Sequence, residues 1–136
     1  MALSAKPRHT GAIMEKPDLD TIRRRLETFR DERDWRQFHT LKDLIISVNL
    51  EAAELLELTQ WKRDDELSRL RNDPAFQERL REECADVFLY LLLVAGEAGF
   101  DLLQAAADKI EKNAVKYPVE RARGSARKYS ELGDED

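Results

Sequence analysis

Cysteine occurs once in this chain, at Cys84, so an intrachain disulfide is excluded. A lone thiol fits a reducing cytoplasm. Histidine occurs only at His9 and His39, too few for a zinc centre. The 5 glycines and 4 prolines sit at the ends of patterned segments and form no repeat. No stretch alternates β-branched and polar residues as a half-buried strand does. No apolar run near the N-terminus has the form of a secretory signal. The longest apolar run, Val87 to Ala95, is too short to span a bilayer and reads as a helix buried nearly all round. A net charge of −5 opposes general nucleic-acid binding. A Gly-rich phosphate loop, an HExxH helix and a Ser-His-Asp set are all missing, which excludes P-loop, zincin and acyl-transfer chemistry. The Glu-x-x-His pairs of a di-iron bundle are missing too.

What is present is charge and helical periodicity. Of 136 residues, 38% are charged and 42% hydrophobic, which suits one all-α domain with a wet surface. Residues 1–17 read as a mobile segment, 18–130 as the domain and 131–136 as an acidic tail. Asp18 caps a first helix expected to end near Asp31–Asp34. After a link, Trp35 to His39, Thr40 caps a second helix running to about Trp61. Its apolar face is Leu41, Leu44, Ile45, Val48, Ala52, Leu55 and Leu56. Residues 62–72 mix helix and loop. Asp73-Pro74 opens a third long helix that Gly99 stops. Asp101 and Gln104 have the spacing of a capping box for a fourth, ended by Pro118. Residues 119–130 read as irregular.

Two acidic pairs break the apolar faces. Glu51 and Glu54 stand three apart on the second helix, Glu83 and Asp86 three apart on the third. Residues i and i+3 share a helix face. On a wheel with Leu41 at zero, Glu51 falls near 280°, inside the apolar arc, with Glu54 and Trp61 on its flank at about 220° and 200°. With Leu80 at zero, Glu83 falls inside its arc and Asp86 on the flank. A helical glutamate is ordinarily a solvated charge. Two helices with the same flaw point instead to a hard divalent cation held by oxygens, Mg²⁺ foremost, with Mn²⁺ as a substitute. Cys84, beside Glu83, reads as packing.

The other sign gathers later. From Lys109 to Lys128 the chain has seven basic and two acidic residues, a local +5. Lys109, Asn113 and Lys116 share one flank of the fourth helix. An acidic metal site with a basic strip suits a Mg²⁺-bound polyphosphate. The plain alternative is a solvated face whose cations suit the helix C-terminus.

These motifs resemble a known family. Trp35-Arg-Gln-Phe-His39, Glu51-Ala-Ala-Glu54-Leu-Leu-Glu, Gln60-Trp61-Lys62, Glu83-Glu-Cys-Ala-Asp86-Val-Phe-Leu-Tyr90, Lys112-Asn113 and Lys116-Tyr117-Pro118 are similar to the MazG-like all-α nucleoside triphosphate pyrophosphohydrolases. The ending Ala122-Arg123-Gly124-Ser125-Ala-Arg127-Lys128-Tyr129 resembles the dCTP pyrophosphatase branch. The resemblance implies a four-helix core completed by a partner chain, in a homodimer or homotetramer. It implies Mg²⁺-dependent cleavage of a nucleoside triphosphate, dCTP or a modified relative, to the monophosphate and pyrophosphate. By position, Glu51, Glu54, Glu83 and Asp86 would bind metal, with Glu54 or Glu51 serving the attacking water. Trp35, His39 and Trp61 would surround the base. Tyr90 and Asn113 would meet sugar or phosphate, and Lys109, Lys112, Lys116, Tyr117, Arg123, Arg127 and Lys128 would complete substrate binding. Asp43 departs from the pattern, which has Asn there. The alternatives are the same fold acting on dUTP or a broad nucleotide set, and a non-catalytic helical dimerisation module.

Overall fold

The computed structural model describes residues 16–132, and among these there is no strand. Most of the expected N-terminal segment 1–17 and of the acidic tail 131–136 lies outside them. The order is α1 (Leu19–Glu32), a 3-10 turn (Trp35–Phe38), α2 (Leu41–Glu57), α3 (Asp64–Leu70), α4 (Pro74–Ala98), α5 (Leu102–Lys116), α6 (Val119–Ala122) and a 3-10 turn (Tyr129–Glu131). The chain divides into two units, residues 1–35 and 36–136.

In the first unit, the Asp18 carboxylate accepts from the Thr21 N–H at 2.7 Å and starts α1. Trp35 meets Phe29 edge-on at 5.8 Å, and the Arg33 guanidinium lies 3.6 Å from the Phe29 ring centre.

In the second unit, α2 packs along α4, and α5 makes a smaller contact with α4. The caps are those the sequence announces. Asp73 accepts from the Phe76 N–H at 2.8 Å, with Pro74 in the first turn of α4. Gly99 stops α4 at φ 76°, a left-handed conformation that glycine adopts without Cβ strain. Asp101 accepts from the Gln104 N–H at 2.9 Å, but the Gln104 carboxamide donates forward to Asp108 instead of closing a box.

Helix α2 ends at Glu57, earlier than its periodicity suggests. The reason is local: Thr59 and Gln60 N–H groups bond back to Leu56 and Glu57 carbonyls, three residues away, and the Thr59 hydroxyl donates to the Leu56 carbonyl. This tightening leaves Trp61 outside the helix at φ 62°.

The core is the α2–α4 seam. Leu44, Leu58, Leu92, Leu93 and Ala95 are buried. Leu44 and Leu58 are about four turns apart and so share a face. Burial of each leucine contributes about 1.5–3 kcal/mol. The remaining apolar positions are not covered by this chain. Leu41, Ile45 and Leu56 are exposed on α2, as are Phe88 and Leu91 on α4, so the Val87–Ala95 run is covered only in part. Cys84 is exposed as well, and its expected packing is not found within the chain. On α5, Leu103 and Ile110 are 59% and 66% exposed. They are seven residues apart and form one stripe.

Candidate metal and nucleotide site

Because α2 lies along α4, the two acidic pairs meet. One carboxylate oxygen from each of Glu51, Glu83 and Asp86 lies within 4.8 Å of the others. Glu51 and Glu83 are half-buried, Glu54 and Asp86 exposed. Burial, and then the charges of Glu54, Asp86 and Glu83, push the Glu51 carboxyl above the ordinary glutamate range. Glu83 is pushed up first by desolvation, then by Glu54, which acts as a like charge and as a hydrogen-bonding neighbour, and then by Asp86, with Arg79 opposing. The fourth carboxylate is therefore felt at both half-buried glutamates.

Like charges at this spacing are unfavourable without a counter-ion. One oxygen of Glu83, Oε2, is sealed from solvent and has no hydrogen-bond partner. An orphaned carboxylate oxygen among three further acids fits a hard divalent cation, which takes oxygen ligands. The donor set holds no sulfur or imidazole, so it does not fit a softer metal.

The other expected site residues fall in three places. Tyr90 is half-buried on α4, one turn beyond Asp86. His39, half-buried, joins the first 3-10 turn to Thr40, the cap of α2. Trp61 is 92% exposed just past α2. A bulky residue with positive φ is a true outlier, and such strain gathers at functional sites. Lys109, Lys112 and Asn113 are exposed on α5. Trp35 belongs to the first unit, held by Phe29.

Lys116, Tyr117, Arg123, Arg127 and Lys128 lie at or beyond the end of α5, in a segment expected to be irregular that instead contains α6 and a 3-10 turn. Lys116 Nζ sits 5.7 Å from the Tyr117 ring centre and 5.1 Å from that of Tyr129. The two rings meet edge-on at 6.4 Å. Arg121 and Ser125, which the sequence reading did not single out, line a cavity here with Arg127. The only signal for them was the basic run and its glycine.

Asp43 has a local role in the second unit. The Thr40 hydroxyl donates to Asp43 Oδ2 at 2.8 Å and accepts from the Asp43 N–H at 3.2 Å. An ionised acid in the first turn also suits the helix dipole.

An all-α scaffold whose two longest helices converge four acids defines a class of carboxylate-centred, divalent-metal proteins. The MazG-like family matches residues 46–132 of this chain, and the chain belongs to that family. It is 42% identical to dCTP pyrophosphatase 1 of Mus musculus over 117 residues, covering 86% of this chain and 69% of that protein. It is 41% identical to dCTP pyrophosphatase 1 of Homo sapiens, with the same coverage of both chains. The crystal structure of a pyrophosphatase from Archaeoglobus fulgidus superposes with a TM-score of 0.67 at 37% identity, over 79% of this chain and 99% of that one.

Proposed function

We propose that this protein is a cytoplasmic, Mg²⁺-dependent nucleoside triphosphate pyrophosphohydrolase that converts dCTP, or a modified pyrimidine relative, to the monophosphate and pyrophosphate. The observation that carries this reading is the convergence of Glu51, Glu83 and Asp86 beside Glu54, with Glu83 Oε2 orphaned. The similarity to dCTP pyrophosphatases supports the substrate class.

Glu51, Glu54, Glu83 and Asp86 would hold Mg²⁺, or Mn²⁺ in its place. The cation supplies charge neutralisation for the phosphate chain and acidifies water. Glu54 is exposed beside the half-buried acids and is placed to orient a water and accept its proton. That water's oxygen forms a bond to phosphorus at the α–β anhydride. The bond to the bridging oxygen breaks, and pyrophosphate leaves with its charge met by basic side chains. Trp61 offers a bare indole face for the base, with His39 and Trp35 as further base contacts. Tyr90 and Asn113 would meet the sugar or phosphates, and Lys109 and Lys112 would bind phosphate.

The working enzyme is a homodimer or homotetramer. The exposed stripes of α2, α4 and α5 support this, because an obligate interface resembles a cut core. The test is pyrophosphate release with Mg²⁺ from dCTP, dUTP and the other nucleoside triphosphates. Release from dCTP above the rest is the expected result, and no release from any nucleotide would overturn the reading.

A further inference from the structure

The segment after α5 returns on itself as a strap. Its neck is pinned where Lys116 Nζ lies against the rings of both Tyr117 and Tyr129. Between these tyrosines, residues 121–128 carry four basic side chains and no acid. Elsewhere arginine is paired: Arg23, Arg30, Arg33, Arg63, Arg69 and Arg81 all hold carboxylates. Among the described residues, Arg123, Arg127 and Lys128 form no ion pair.

The strap also encloses space. A cavity of about 670 Å³ is lined by Arg121, Gly124, Ser125, Arg127, Glu131 and Leu132, with Ala126 beside them. Its backbone is set by short bonds. The Ser125 N–H donates to the Ala122 carbonyl at 3.1 Å, and the Arg127 N–H donates to the Ser125 hydroxyl at 3.3 Å. Gly124 makes the turn at φ 74°. The one acid of the lining, Glu131, accepts from the Lys128 N–H at 3.3 Å, so it is tied to the backbone beside the arginines. Guanidinium forks with a hydroxyl suit phosphate oxygens.

We propose that this strap is a preformed pocket for a polyphosphate chain, with Arg121, Arg127 and Ser125 as its ligands and the Lys116–Tyr117–Tyr129 clamp as its positioning device. Ordering the strap beforehand lowers the entropy lost on binding. Its place in catalysis, holding the pyrophosphate half of the substrate or product, rests on the pyrophosphohydrolase reading. The pocket itself does not.

Calorimetric titration of the full chain with inorganic pyrophosphate in metal-free buffer separates the two, because the carboxylate centre then contributes no cation. Arg127→Gln, an exposed position in irregular chain, is expected to weaken pyrophosphate binding about tenfold. Tyr129→Ala is expected to weaken it severalfold, while Tyr129→Phe, which keeps the ring, binds as the parent does. Tripolyphosphate should bind at least as well as pyrophosphate, and dCMP, with one phosphate, far more weakly. If Arg127→Gln binds pyrophosphate as the parent does, the pocket is wrong. If the two Tyr129 variants bind alike, the clamp is wrong. Pyrophosphate binding lost in Arg127→Gln, in a protein that hydrolyses no nucleotide, would remove the activity reading and leave the pocket standing.

Discussion

Glu51, Glu54, Glu83 and Asp86 stand on two helices of 17 and 25 residues, whereas Arg121, Arg123, Arg127 and Lys128 stand on a strap of short helical turns. The acids are held together against their mutual repulsion by the α2–α4 seam, which buries leucines at both ends of α2. The strap has no buried residue, and an aromatic clamp with backbone bonds holds it. Rigid helices are needed where like charges must be forced close, since a flexible segment would let them separate. Cations that only need to surround an anion can sit on a lighter frame.

The same contrast sets what could be read from sequence. An acid inside an apolar arc is a contradiction visible on a helical wheel, so Glu51 and Glu83 were identifiable without a fold. The caps at Asp18, Asp73, Gly99 and Asp101 were legible because each is a local bond within one turn. The strap has no period, so the contact of Tyr117 with Tyr129 and the cavity near Arg121 had no counterpart in pattern. The end of α2 was missed for a related reason. Periodicity continues to Trp61, but the Thr59 hydroxyl competes for the Leu56 carbonyl and the chain leaves the helix. The apolar run Val87–Ala95 was read as fully buried because a wheel cannot say whether the same chain or another covers a face.

The contrast is broken most sharply at the acids. Glu51→Gln and Asp86→Asn are expected to lower turnover about a hundredfold or more while the fold is kept. Metal-free melting temperature should hold or rise, because one repelling charge is gone. Near-parental turnover in either variant would remove that residue from the metal site.

A second test concerns the uncovered stripes. The parent should sediment as a dimer or tetramer at low micromolar concentration. Ile110→Lys places a charge in the Leu103–Ile110 stripe and should shift it toward monomer, with helix content unchanged. A folded parent monomer would mean these faces need no partner.

Trp61 joins the two kinds of region, an exposed aromatic at a strained position beside the acids. Trp61→Ala should raise KM for dCTP about ten- to a hundredfold, the worth of one base–aromatic stack, with a smaller change in kcat. Tripolyphosphate, which has no base, should be affected less. Trp61→Gly should lose the same affinity yet gain about 1 kcal/mol of stability over Trp61→Ala, because φ 62° costs glycine little. Equal losses for dCTP and tripolyphosphate would make Trp61 structural.

The smallest expected effect is the pH dependence of the metal-free fold, and it tests whether the acids are held against repulsion at all. Glu51 and Glu83 titrate above the ordinary glutamate value of 4.5 in the folded chain. Between that value and the raised one, the folded state holds more protons than the unfolded state. Stability therefore falls as pH rises through this window, opposite to the trend of a salt-bridged acid. Melting temperature of metal-free protein should decline from about pH 4.5 upward, after allowance for other groups. Glu83→Gln should flatten that decline. A saturating divalent cation should also remove it, because a bound ion favours the ionised acids and competes with protons. The strap supplies the control: Arg127→Gln changes a group that stays charged throughout, so it should leave the slope as it was. A metal-free melting temperature that rises through the window in the parent, and falls in Glu83→Gln, would mean that the acids are already neutralised by neighbouring cations and that the centre needs no metal to hold it.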